Sequence, residues 1–324
     1  MQNLSLLEKI RHTRFEAVPL SDYNRNYILR LLPDIDYYFA IWECCVDEML
    51  LMARGETGQL TVVDYGGGHG FVSMILKERG VGRVLYVDHN PQSVQAAKTL
   101  AQLFGLGPDA AIEGEIRQLR EWCESHGVAP DALMGMDVIE HIYCLDDFFC
   151  ELHALNPAMP MLFTTGSNPY NYRATLRLRR IMKSDEELFR QRRRDYIAAH
   201  FADLDAHELD YWAEHTRGLT FDDVRRAVEC QSPNLLRDPF NTCDPETGSW
   251  TERILSLEEY RGILQPYGDE VTLENGFYNE HSHRFGKRWR RLFNRLLRWP
   301  SFTALAPFVI LKVTATQDPQ NART

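Results

Sequence analysis

The chain has 324 residues, 44% hydrophobic, 25% charged and 11% aromatic. This is the composition of a globular protein, either one large domain with an insertion or two domains, and it excludes disorder outside the polar tail after Thr316. The net charge of −10 is unevenly spread: residues 173–194 hold nine Arg/Lys against three acids and 284–298 hold seven against none, so the remainder is strongly acidic and a general nucleic-acid binder is excluded.

Residues 1–54 are expected to be helical. Ile35, Phe39, Trp42, Val46 and Leu50 recur at spacings of three and four and share one helix face. A turn at 54–58 leads to a short β-rich run at 60–64, then Tyr65-Gly-Gly-Gly-His-Gly70, then a helix over 71–79. Strand, glycine turn and helix in that order form the nucleotide-binding start of a doubly wound sheet. A second strand over 84–88 ends in Asp88; Asn90 and Pro91 supply the cap and first turn of a helix whose apolar face is Val94, Ala97, Ala101 and Phe104.

A weak third strand is expected over 110–112, a fourth over 132–137 and a fifth over 161–165, with Leu145, Phe148, Phe149, Leu152 and Leu155 forming a helix face between the last two. Five strand–helix alternations imply a parallel α/β sheet. The alternation stops for about ninety residues. Residues 167–255 contain no clean strand, and 232–248 read as a long surface loop. A helix over 257–264 and strands over 271–275 and 308–314 resume the sheet. The expected division is a helical extension over 1–58, a cofactor-binding core over 59–166, a helical cap over 167–256 and a return to the core over 257–324.

The seven cysteines form no CxxC pair, which points away from disulfide or zinc frameworks and toward a reducing cytoplasm. The first residues lack the apolar run of a secretory signal, and the longest apolar stretch, 302–313, is broken by Pro307. No membrane span is expected.

Counting from Gly66, glycines fall at 66, 67, 68 and 70 while position 71 is Phe, so the third glycine of a dinucleotide fingerprint is missing. What stands there is Asp64-x-Gly66-x-Gly68-x-Gly70, with Asp88 closing the next strand. This resembles the first motif of the class I S-adenosylmethionine-dependent methyltransferases, over 59–165 and again over 257–314. Met136-Asp-Val-Ile-Glu-His-Ile142 is similar to the segment after the fourth strand in the ubiquinone-biosynthesis-like subgroup. Thr164-Thr-Gly-Ser-Asn-Pro-Tyr-Asn171 resembles that subgroup's Thr-Pro-Asn loop, with Gly166 and Ser167 as a departure.

The resemblance implies a Rossmann-like, doubly wound, seven-stranded, mostly parallel sheet with a helical cap after the fifth strand. It implies S-adenosyl-L-methionine as cofactor and S-adenosyl-L-homocysteine as product. The implied cofactor residues are Asp64, Tyr65, Gly66, Gly68, Gly70, Asp88, His89, Glu115, Ile116 and Asp137; Asp88 would accept both ribose hydroxyls, and Glu115 and Ile116 would meet the adenine. Asp64 either caps the glycine loop or meets the cofactor's amino group. The catalytic candidates are His141, as general base or as a loop-positioning group, and its neighbour Glu140. No resident metal is expected; the alternative is a metal-assisted methyltransferase of the vicinal hydroxyls of an RNA end or a catechol, with a divalent site from Asp137, Glu140 and His141 and His200 or His215.

The acceptor is expected to be a small biosynthetic molecule methylated on O or N, anionic or carrier-linked, in a pocket built largely by the cap. Arg173, Arg177, Arg179, Arg180, Arg192, Arg193 and Arg194 are either an anion clamp or an ion-paired helix face. A catalytically silent cofactor-binding subunit is the reading from a different class. Residues 284–299 form a basic amphipathic helix with Phe285, Trp289, Leu292, Phe293, Leu296 and Leu297 on one face, which either packs on the domain or contacts a membrane surface peripherally.

Overall fold

The computed structural model describes residues 4–234, 236, 238–280 and 287–315, apart from the side chains of 287 and 288. The polar tail after Thr316 and the Phe285 end of the basic helix lie outside them. In chain order the elements are α1 (Leu6–His12), α2 (Asp22–Leu31), α3 (Ile35–Ala53), β1 (Thr61–Tyr65), α4 (Phe71–Glu78), β2 (Arg83–Asp88), α5 (Pro91–Phe104), β3 (Ala110–Glu113), α6 (Ile116–His126) and β4 (Ala132–Met136). Then come α7 (Leu145–Leu155), β5 (Met161–Thr165), α8 (Tyr172–His200), α9 (Ala206–His215), α10 (Phe221–Glu229), α11 (Leu257–Leu264), β6 (Asp269–Asn275), α12 (Lys287–Leu296) and β7 (Val309–Ala315).

The seven strands make one sheet in the order β3-β2-β1-β4-β5-β7-β6, with β7 antiparallel to both its neighbours and the other pairs parallel. The strands alternate their side chains between two helical layers. Val62, Met134 and Leu162 face α3, α4 and α5, whereas Val63, Leu133 and Phe163 face α6, α7 and α11. Burial on both faces explains why these strands read as continuous apolar runs rather than alternating ones. Sequence order reverses between β1 and β4, and the crevice at the carboxyl ends of strands flanking such a point is where open α/β sheets bind ligands.

Asn90 caps α5 as expected, its side chain accepting from the Gln92 amide at 2.9 Å with Pro91 in the first turn. The extension at the N-terminus packs on the sheet: Leu6, Ile10, Ile35, Phe39 and Val46 share a continuous core with Phe71, Leu100 and Leu162.

Between β5 and α11 the chain forms the helical insertion, with a small apolar centre of Ile197, Trp212, Val224 and Val228. The stretch over 232–248 is not wholly a surface loop. Asn241, Thr242 and Cys243 are buried, and Cys243 pairs with Trp250 through an isolated antiparallel bridge. Turn-forming composition marks the absence of regular structure but not its burial.

The basic α12 lies between β6 and β7, and its apolar residues do not all share one fate. Phe293 and Leu297 face the protein, while Trp289 and Leu292 are exposed.

Candidate active site

A cleft of about 410 Å³ opens at the carboxyl ends of β1, β2 and β4. Seven of the residues singled out from the sequence line it: Tyr65, Gly66, Asp88, His89, Glu115, Ile116 and His141. They come from four separate loops, brought together because each strand ends at the same edge of the sheet.

The glycine turn is shaped by what surrounds it. Gly66 adopts φ +67°, and a Cβ there would lie 2.5 Å from the Val138 side chain. At Gly67 a Cβ would lie 2.6 Å from the Tyr86 ring and 2.8 Å from the Asp64 carboxylate. The resemblance left position 67 unspecified; close approach, rather than a left-handed backbone, makes glycine necessary there. The Tyr86 hydroxyl ties the turn to β2 by donating to the Gly68 carbonyl at 2.6 Å.

Asp64 is buried behind this turn and does not line the cleft. Its Oδ2 accepts from the Ser73 amide at 2.9 Å and the Ser73 hydroxyl at 2.6 Å, fastening β1 to the first turn of α4. Burial pushes its carboxyl up to about 6, against those two hydrogen bonds. Of the two readings for Asp64, the geometry displays loop fastening. His69, in the turn, is also buried and packs against Trp42, Phe71 and Tyr27. Burial pushes its imidazole down to about 3.

Asp88 has a different situation. Its Oδ2 accepts from the Gly68 amide at 2.9 Å and its Oδ1 from the Asn90 amide at 2.8 Å. A carboxylate offers about four lone-pair sites, so two amides leave capacity for a diol. Glu115 is exposed at the start of α6, where it shares a capping box with Gln118, and Ile116 beside it is buried. Tyr65 packs on Phe148 with ring centres 5.0 Å apart, flooring the cleft.

After β4 the chain turns sharply. Asp137 takes φ +49°, a left-handed conformation that a non-glycine residue adopts at a strain of order 1 kcal/mol or more. Its amide donates to both the Thr164 carbonyl and the Thr164 hydroxyl at 3.1 Å. Asp137 is exposed and, unlike His141, is not among the residues lining the cleft. Desolvation, then the negative charge of Glu252, raises its pKa.

His141 lines the cleft and is held from the cap. Its Nδ1 lies 2.7 Å from the Trp250 carbonyl, and the Trp250 amide donates back to the His141 carbonyl at 3.2 Å. A carbonyl only accepts, so Nδ1 carries the proton and Nε2 is the lone-pair nitrogen of the neutral ring. The cap grips the neighbouring backbone as well. The Arg253 amide donates to the Glu140 carbonyl, its guanidinium to Ile142, and the Trp250 indole to Tyr143.

Glu140, a catalytic candidate, is placed elsewhere. It is 2% exposed, absent from the cleft lining, and its Oε1 accepts from the Thr165 hydroxyl at 2.7 Å. Desolvation and then the charge of Asp137 raise its pKa well above the usual carboxylate range. Its adjacency to His141 in sequence put it beside the chemistry, but a 3-10 turn over Ile139–His141 sends consecutive side chains in different directions.

The alternative metal set does not assemble. His200 and His215 sit on cap helices, each hydrogen-bonded to a carbonyl of its own helix, and no group of three His, Cys, Asp or Glu among the described residues could hold a metal ion. The arginine cluster divides likewise. Arg192, Arg193 and Arg194 pair with Asp244, Glu186 and Asp210 inside the insertion, and Arg179 stacks on Phe240. Arg173, Arg177 and Arg180 are exposed.

Sequence reasoning missed the cap's contribution to the cleft, Thr247, Gly248 and Ser249, and that of Tyr143. The available signal was Gly248, whose φ is +74° and whose Cβ would meet Tyr143 at 3.1 Å. Sequence also assigned the acceptor wall mainly to the cap.

No family model matches the chain, and no curated protein matches it. Among solved structures, a plantazolicin methyltransferase in complex with SAH is similar over 96% of this chain and 96% of its own, at 11% identity and TM-score 0.42. Magnesium protoporphyrin IX methyltransferase from Synechocystis with bound SAH is similar over 85% of this chain and 83% of its own, at 15% identity and TM-score 0.41. At these values the likenesses carry no argument about activity.

Proposed function

We propose that this chain is an S-adenosylmethionine-dependent methyltransferase acting on an O or N nucleophile of a small molecule. The observation that carries the reading is the convergence, at one cleft beside the switch point of the sheet, of the glycine turn, Asp88 and His141. The residues fit such a cofactor. Asp88 has lone pairs for a ribose diol, Ile116 and Tyr65 offer apolar surface for a purine, and the turn at Gly66–Gly68 leaves no side chain over the floor of the cleft.

When bound, the cofactor supplies an electrophilic methyl group on a sulfonium. The chain's own task is to hold a nucleophile in line with that methyl, about 3–3.5 Å away, and to exclude water. His141 is suited to accept the nucleophile's proton at Nε2, since its other nitrogen is committed to Trp250. Thr247–Ser249 cover the cleft from the cap side. The acidic bulk of the chain favours a small-molecule acceptor over RNA.

Titration calorimetry with S-adenosylhomocysteine tests the reading. Asp88→Ala removes two charge-assisted hydrogen bonds of about 1.5–3 kcal/mol each, so the dissociation constant should rise by at least about 100-fold. No heat with the wild-type protein, or equal affinity in a folded variant, overturns the assignment. Methyl turnover with any acceptor separates an enzyme from a silent subunit, and turnover should survive a chelator.

A further inference from the structure

We propose that the outer face of α12 docks on the surface of an anionic phospholipid bilayer. The inner face is already committed. Phe293 packs on Tyr278, Asn294 exchanges hydrogen bonds with the Tyr278 amide and carbonyl at 2.7 and 3.0 Å, and Leu297 is buried. The Asn275 amide group, at the end of β6, donates to the carbonyls of Leu297 and Trp299 at 3.1 and 3.0 Å. The helix is therefore anchored, and what it turns outward is a fixed surface.

That surface combines two chemistries. Trp289 is 64% exposed, Trp299 66% and Leu292 43%, among the more exposed large apolar residues of the described chain. Between and beside them stand Arg291, Arg295 and Arg298, all exposed, of which Arg291 is paired with Glu280 at 3.3 Å. In a chain of net charge −10, residues 284–298 carry seven cations and no acid. Cations attract an anionic surface, and indole rings favour the bilayer interface, where an apolar body and a polar N–H are both accommodated. A nucleic acid accounts for the arginines but leaves Leu292 and the outward indoles without a role. A second copy meeting this face would set cation against cation.

The face is also placed where it matters. The segment after α12 leads into β7, and the loop after β5 holds it: Asn168 donates to the carbonyls of Thr303 and Ala306 at 2.9 and 3.1 Å, and Asn171 to Ala306 at 2.9 Å. A bilayer on α12 lies along the edge of the sheet at which the cleft opens.

Co-sedimentation of the full chain with vesicles is the test. Vesicles of phosphatidylcholine mixed with phosphatidylglycerol should bind the protein at about 0.05 M salt and release it at about 0.5 M, where the screening length is shorter. Pure phosphatidylcholine vesicles should not bind it. A cation near such a surface is worth about fivefold in partitioning, so Arg291→Ala/Arg295→Ala/Arg298→Ala should weaken binding on the order of 100-fold. Trp289→Ser/Trp299→Ser should weaken it and remove a blue shift in indole emission. These substitutions sit at exposed positions, and unchanged circular dichroism and melting will confirm folding. Absence of binding to the anionic vesicles at low salt, equal binding to both vesicle types, or unaltered binding by the arginine variant overturns the proposal. So does binding of a single-stranded RNA oligonucleotide with the same arginine dependence when vesicles fail.

Discussion

Around the sheet, Val62, Val63, Met134, Leu162 and Phe163 are wholly or almost wholly buried between two helical layers, and few polar groups enter. The insertion after β5 is built around a smaller apolar cluster, Ile197, Trp212, Val224 and Val228, and it also buries Arg193 with no exposed surface. The Arg193 guanidinium is satisfied by Glu186 at 2.6 Å and by the Ala213 carbonyl at 3.0 Å, and Glu186 in turn accepts from the Thr242 hydroxyl at 2.6 Å. The sheet is thus held by non-directional burial, which tolerates substitutions of similar volume. The insertion is held by a directional network, in which one lost partner leaves a buried charge uncompensated.

Three measurements sharpen or break this contrast. The largest effect is expected where the regions meet. His141→Ala should lower turnover by about 10²–10⁴-fold while leaving calorimetric affinity for S-adenosylhomocysteine close to wild type. Near-normal turnover at saturating acceptor assigns His141 a positioning role alone. Next, Glu186→Ala should destabilise the insertion by about 3–5 kcal/mol. Limited proteolysis should then cut within 172–256 at temperatures where the sheet still resists. Simultaneous loss of both regions would erase the distinction drawn between them.

The smallest effect concerns pH and the sheet alone. His69 is held neutral, with its pKa near 3, so its stabilisation is complete above the unfolded value of about 6.5 and is lost as pH falls toward 3. Asp64 has its pKa raised to about 6, so the folded state takes up that proton before the unfolded state does and gains stability as pH falls from about 6 to 4. The two effects oppose each other across that window. In His69→Phe only the second remains, and denaturant melts should show stability relative to wild type rising by about 1.4 kcal/mol per pH unit on acidification. Parallel pH profiles for the two proteins would show that His69 is not held neutral.

The contrast between regions also explains what the sequence revealed. Strands β1, β2 and β5 were legible because burial on both faces demands an unbroken apolar run, and β3 was faint because it is an edge strand of four residues. Gly66 and Asp88 stood out because a tight turn between a strand and a helix restricts residue type at fixed spacing, and both line the cleft. Glu140 lies away from the cleft lining because its side chain is directed to Thr165, 25 residues later, and no local pattern encodes that. The pairing of Arg193 with Glu186 was within reach of the local sequence at a separation of seven, whereas the contact of His141 with Trp250 spans 109 residues and was not. Likewise, helical spacing grouped Phe293 with Trp289, but only the position of Tyr278 decides which of them is covered.

The bond between His141 and Trp250 has a consequence for how the protein comes into being. A ribosome delivers residue 250 long after the glycine turn, β4 and β5 have emerged, so the imidazole's tautomer stays unselected until the insertion has folded back over it. A nascent or truncated chain ending before that point has its glycine turn but lacks the carbonyl that fixes the His141 ring. The setting of this ring is in this way deferred to the second half of synthesis.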